Sequence, residues 1–174
     1  MYSFSAYVSY FENLATQFKP IGHSPTSQRF AVMGITDILS NIRGPLDTKN
    51  PCLILERPEG GLTFRNDALM DESLGAFYLI KNVTRKDPQA LLQVHDDMKE
   101  LGHKILLRMQ YEKKQRHRGD KTYPFHTSFF QLDRVKYFPV GPIMDQCYGW
   151  RIEVDLTDTS PLTFDLNDWT DLEE

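Results

Sequence analysis

Cysteine is scarce in this chain: Cys52 and Cys147 are the only two in 174 residues. They lie far apart in apolar surroundings, with no CxxC and no Cys/His spacing beside either. That excludes a disulfide scaffold and a cysteine-built zinc module, and it fits two buried free thiols in a reducing compartment. Long hydrophobic runs are also missing. No stretch approaches the ~20 apolar residues needed to span a bilayer, so no membrane partner is expected. The opening "MYSFSAYVSYFENLATQF" has no basic start, no continuous apolar run and no cleavage site, so a secretory signal is not expected either. Phosphate-loop and nucleophile signatures do not occur. The "PEGG" at 58–61 sits in neither a GxxxxGK nor a GxGxxG pattern. The "HSPTS" at 23–27 has hydroxyls near a histidine but no acidic partner and no nucleophile elbow, and it reads as a turn.

What is present is ordinary for a soluble globular protein: 40% hydrophobic and 25% charged residues. The length suits one domain over 1–160, with a short acidic arm at 161–174. A formal charge of -4 argues against a dedicated nucleic-acid binder, which is usually basic. Eleven Phe, eight Tyr and two Trp supply large contact areas for a core or for interfaces.

Periodicity places the elements. Tyr7, Val8, Phe11, Leu14, Ala15 and Phe18 recur at three- and four-residue steps, one face of an amphipathic helix ended by Pro20 and Gly22. Ser3, Ser5 and Ser9 are all possible start signals, the last with Glu12 at capping-box spacing. "RFAVMGI" predicts a short strand, and "TDILSNIRG" a short helix closed by Gly44 and Pro45. Leu53 to Leu55 form a buried-strand run, "PEGG" predicts a turn, and "LTFR" returns as the second arm of a hairpin. "DALMDES" reads as an exposed loop and "GAFYLIKNV" as a strand. In "DPQALLQVHDDMKELGHKILLRMQYEKKQRHR", Asp87 is a good N-cap with Pro88 at the first helical position. Leu91, Val94, His95, Met98, Leu101, Ile105 and Met109 trace its apolar stripe. "FHTSFFQLDRVKYFPV" supplies another strand. A last strand alternates Tyr148, Trp150, Ile152, Val154 and Leu156 with Gly149, Arg151, Glu153 and Asp155. The expected class is α+β: a mostly antiparallel sheet packed by the long central helix and the N-terminal helix, with an extended acidic C-terminal arm.

Candidate sites are surfaces rather than catalytic clusters. The wet face of the last strand, Arg151, Glu153 and Asp155, is either simply solvated or meant for a partner. Lys113, Lys114, Arg116 and Arg118 crowd the end of the long helix, with Arg108, His117 and Lys121 nearby. They either match the helix dipole or form a basic lobe that touches an acidic neighbour. From Ile152 to Glu174 there is no Lys or Arg, and Phe164, Leu166 and Trp169 are interleaved with acids there. This segment folds back on its own domain or docks on a neighbouring copy with Phe164 and Trp169 as anchors. An acidic arm meeting the basic lobe of the next copy gives a head-to-tail, ring-forming contact. His95, Asp96 and Asp97 lack a third ligand at proper spacing, so neither a metal nor a cofactor is expected.

The phrases "YFENLATQFKPIGHS", "PCLILERPEGG", "GAFYLIKN" and "VGPIMDQCYGWRIEVDL" resemble small structural proteins from the tail and neck modules of bacteriophages, particularly phages of the Bacteroidetes. The order of elements also resembles the tail-terminator or tail-completion fold, in which a small sheet flanked by helices assembles into a ring. Typical terminators are shorter, and the long acidic tail departs from that pattern. The resemblance implies a virion protein without catalytic residues, assembled in the bacterial cytoplasm, that caps the tail tube or joins it to the neck. Its partners would be copies of itself and neighbouring tail or neck proteins, with DNA only passing through the lumen. An adaptor of a baseplate or contractile injection system, acting through the C-terminal arm, is the alternative, and an enzyme with an unrecognised site is a third.

Overall fold

The computed structural model describes residues 3–39, 45–65, 68–83, 87–122, 130–144 and 146–158. The expected 161–174 arm lies outside them. In chain order the elements are α1 (Phe4–Gln17), β1 (Phe30–Met33), α2 (Ile35–Leu39), β2 (Cys52–Glu56), β3 (Glu59–Arg65), β4 (Ala68–Asn82), α3 (Pro88–His117), a 3-10 turn (Leu132–Arg134), β5 (Lys136–Ile143) and β6 (Cys147–Asp158). The strands form one sheet in the order β1-β2-β4-β6-β5, with β3 also paired to β4. β1 and β2 are parallel, and the other pairings are antiparallel. The α+β class stands, with a mixed, mostly antiparallel sheet.

The helices begin where their side chains can satisfy free N–H groups. Ser3 Oγ accepts from the Ala6 N–H at 3.2 Å, so α1 starts one turn or more before the Ser9/Glu12 spacing. Asp87 Oδ1 accepts from the N–H groups of Gln89 and Ala90, with Pro88 opening α3. At ~1.5 Å per residue the 30 residues of α3 span roughly 45 Å, enough to cross the sheet.

Alternation along the strands divides the core. Leu53, Leu55, Phe77, Leu79, Tyr148, Ile152, Val154 and Leu156 pack under α1 and α3. Cys52, Ile54, Tyr78, Ile80 and Cys147 face the other way, where Ile38 of α2, Leu46, Ile143 and Met144 cover them. Helices thus occupy both faces of the sheet. Both cysteines are buried free thiols. The buried stripe of α3 runs through Val94, Met98, Gly102, Ile105, Leu106, Met109 and Glu112, so Gly102, Leu106 and a glutamate join the expected set, while Leu91, His95 and Leu101 are half-buried. A Cβ on Gly102 would stand 2.4 Å from Ile152 Cδ1, which is how closely the helix rides on β6. No helix among the described residues is long and apolar enough to cross a membrane.

Two expectations fail around "PEGG". β2 and β3 do not pair with each other. They follow one another along the same edge of β4, with Leu55 opposite Phe77 and Glu59 opposite Leu74. Glu56, Arg57 and Pro58 therefore face only Gly75 and Ala76, a one-residue excess of the kind a β-bulge absorbs. The hairpin is β3–β4, whose last pair sets Arg65 opposite Ala68. "DALMDES", expected as a loop, supplies the first half of β4 (Ala68 onward), because β3 on one side and β6 on the other satisfy its backbone despite its polar composition.

Candidate functional site

β6 is the strand on which the candidate surface rests. It pairs with β4 from Cys147 to Asp158 and with β5 as far as Glu153, so its residues from Val154 onward run past β5. Tyr148, Ile152, Val154 and Leu156 are buried as the alternation requires, and Trp150 packs beside them.

The opposite positions are not a free charged face. Arg151 lies opposite Tyr78 of β4. Its Nε donates to Glu56 Oε2 at 2.9 Å and its Nη2 to Oε1 at 3.3 Å, a two-pronged grip across the sheet. Its Nη1 donates to Glu153 Oε1. The Tyr78 hydroxyl donates to Glu56 Oε2 at 3.1 Å, and the guanidinium lies 5.9 Å from the Tyr78 ring centre. From the other face, the Tyr7 hydroxyl donates to the Glu56 carbonyl at 3.2 Å. Glu56 is only 7% exposed. Asp155 takes Arg134 Nη1 at 3.0 Å on the more open side. Arg151, Glu153 and Asp155 are thus each engaged within the chain. Glu56, Tyr78 and Arg134 were not anticipated. Glu56 could have been, since it continues the Cys52, Ile54 positions of a strand whose every other residue is apolar.

Burial pulls the Arg151 guanidinium down, but its bonds to Glu56 and Glu153 outweigh this and hold it above its ordinary value. Burial, and then the Glu56 charge, push the Tyr78 phenol up to about 12, and the same two causes raise Tyr7 further. A phenol raised above its unfolded value of about 10 contributes stability that is whole below that pH and is lost as the pH climbs through the folded value. The folded protein is therefore expected to weaken between pH 10 and about 12. Denaturant titrations across that window measure the loss, and Tyr78→Phe should flatten it. An unchanged pH slope in the variant would contradict the assignment.

A second surface follows the seam between α3 and β5. Trp150 Nε1 donates to the His95 carbonyl at 2.7 Å. Lys99 Nζ lies 5.0 Å from the Trp150 ring centre and 5.2 Å from that of Tyr137, and His103 meets Tyr137 edge-on. His95 packs against Tyr148 and Trp150, while Asp97 accepts from Gln93. This seam is an aromatic–cation ridge, and Tyr137 is 45% exposed.

The basic end of α3 divides in two. Lys113 Nζ donates inward to the Phe130 carbonyl at 2.7 Å. Arg116 is half-buried, whereas Lys114 and Arg118 are exposed. One turn earlier, buried Glu112 accepts from the Tyr10 hydroxyl at 2.7 Å and from Arg108 Nε at 2.5 Å, tying α1 to α3. A cleft of ≈ 220 Å³ beside it is lined by Leu14, Gln17, Phe18, Lys104, Ile105 and Arg108. Its two cations already face Glu100 and Glu112. The other expected contact residues, Phe164, Leu166 and Trp169, lie outside the described residues.

Comparison with family models, with curated proteins and with solved structures returns no match. Function rests on these surfaces and on the sequence.

Proposed function

We propose that this chain is a non-enzymatic structural protein that assembles into a ring at the tail end or neck of a bacteriophage virion, capping the tail tube or joining it to the connector. The observation that carries the assembly is the charge polarity of one end of the molecule. His95 lies beside Trp150 and Gly102 beside Ile152, so α3 and β6 run the same way. α3 there ends in exposed Lys114 and Arg118, while β6 leads into 159–174, a stretch of sequence with five acids and no base. An acidic segment delivered beside a basic lobe engages the lobe of a neighbouring copy, and a repeated contact of that kind closes a ring. The four phrases shared in character with phage tail and neck proteins support the virion station. The chain's mildly acidic balance suits a lumen crossed by DNA without capturing it.

Native mass by light scattering tests the reading. The full chain should give a closed oligomer, seen as rings by electron microscopy. A chain ending at residue 160, or the pair Lys114→Glu and Arg118→Glu, should fall to smaller species. An oligomer that both changes leave intact would refute the arm-to-lobe contact, and a full chain that never assembles would refute the ring.

A further inference from the structure

Apart from β6 beyond Glu153, where the 3-10 turn reaches Asp155 through Arg134, the sheet has three outer strands among the described residues, and they are not alike. β1 has four residues and is half-buried. β5 carries Pro139 and Pro142, which have no N–H to offer a neighbour. β3 has seven residues and no proline, is paired to β4 at every position on its inner side, and has no strand beside its outer side among the described residues. Glu59, Gly60, Gly61 and Leu62 are exposed, Leu62 at 62%. Open edges in native proteins are normally blunted by proline, lysine, a bulge or brevity, and β3 carries none of these along its length.

We infer that β3 docks on the β3 of a second copy, the two strands pairing antiparallel about a two-fold axis at Leu62. The partner follows from the strand's own order, Glu-Gly-Gly-Leu-Thr-Phe-Arg. Laid antiparallel on itself about Leu62, position 59 faces 65, so each glutamate meets an arginine position at both ends of the contact. Position 60, a glycine, faces the phenylalanine position 64, and Leu62 faces its own copy. Slipping by one residue brings Leu62 against Gly61 and loses both charge matches, so the register is specified. The paired edges extend one sheet across two molecules. The contact is two-fold, so it joins copies in pairs whatever the acidic arm does, and it goes beyond the ring.

Sedimentation equilibrium of the full chain tests it. The chain should self-associate in even steps, and Glu59→Arg or Arg65→Glu alone should weaken that step about tenfold, because like charges then meet at both ends. Combining Glu59→Arg with Arg65→Glu should restore wild-type association, since both pairs return with their signs exchanged. Only a strand that pairs with itself predicts that rescue. Ending the chain at residue 160 should leave this step unchanged, which separates it from the ring contact. A double variant as weak as the singles, or a mass indifferent to all three variants, would overturn the inference.

Discussion

Gly149→Ala is expected to be the most damaging single substitution in the described residues. Gly149 lies on β6 opposite Ile80 of β4. A Cβ there would stand 1.8 Å from the Leu79 carbonyl oxygen, 2.9 Å from its carbon and 3.0 Å from the Ile80 Cα. These are backbone atoms, so no rotamer change relieves the clash. β4 is also held on its far side by β2, through the pairs Leu53 with Leu79 and Cys52 with Ile80. Moving β4 aside to admit a methyl group therefore disturbs two strand pairings at the centre of the sheet. A loss above about 4 kcal/mol follows, a large part of the 5–15 kcal/mol by which domains are usually stable. Thermal unfolding followed by circular dichroism should show a melting temperature lower by roughly 10 °C or more, or no soluble protein. Gly61→Ala is the control, because nothing lies within 4 Å of a Cβ there. Equal melting temperatures for the two variants would show that the β4–β6 approach is not a barrier.

Glu56→Ala should be the next most costly change. It removes the acceptor of Arg151 Nε and Nη2 and of the Tyr78 hydroxyl at once. Arg151 keeps Glu153 and is 21% exposed, so water offsets part of the loss. About 2–3 kcal/mol is expected, below the 3–5 kcal/mol typical when a fully buried pair is broken. Arg151→Ala should also be destabilising, because it leaves the Glu56 carboxylate buried with only the Tyr78 hydroxyl of the pair. The double variant leaves neither charge stranded. It should cost less than the sum of the single changes by roughly 1–3 kcal/mol, measured by denaturant unfolding of the four proteins. Strict additivity would mean that the two side chains do not act together.

The contrast between these residues shows what could be read from the order of amino acids. α3 was legible because its cap and its apolar spacing are local signals, and β6 because its alternation runs unbroken from Tyr148 to Leu156. The division of β2 between two faces was less so. Cys52 through Leu55 are all apolar, and a strand buried on both sides carries no alternation. The bulge at Glu56 to Pro58 was hidden because "PEGG" has turn chemistry, and only the register with β4 distinguishes an irregular strand from a reversal. The ionic network was out of reach. Glu56 and Arg151 are separated by 95 residues, and nothing near either one names the other. A surface reading of Arg151 was natural from its neighbours and incomplete without the strand order.

The placement of β6 also governs the order in which the molecule can be completed. β4 needs β6 along twelve consecutive positions, yet α3 and β5 are synthesised between them. A growing chain on the ribosome thus carries β4 with one flank unpaired until nearly all the described residues have emerged. Tyr10 of α1, the first of the described elements, meets its partner Glu112 only 102 residues later. Folding should accordingly be slow, with the nascent β4 flank as the place where a chaperone, or an aggregate, takes hold first.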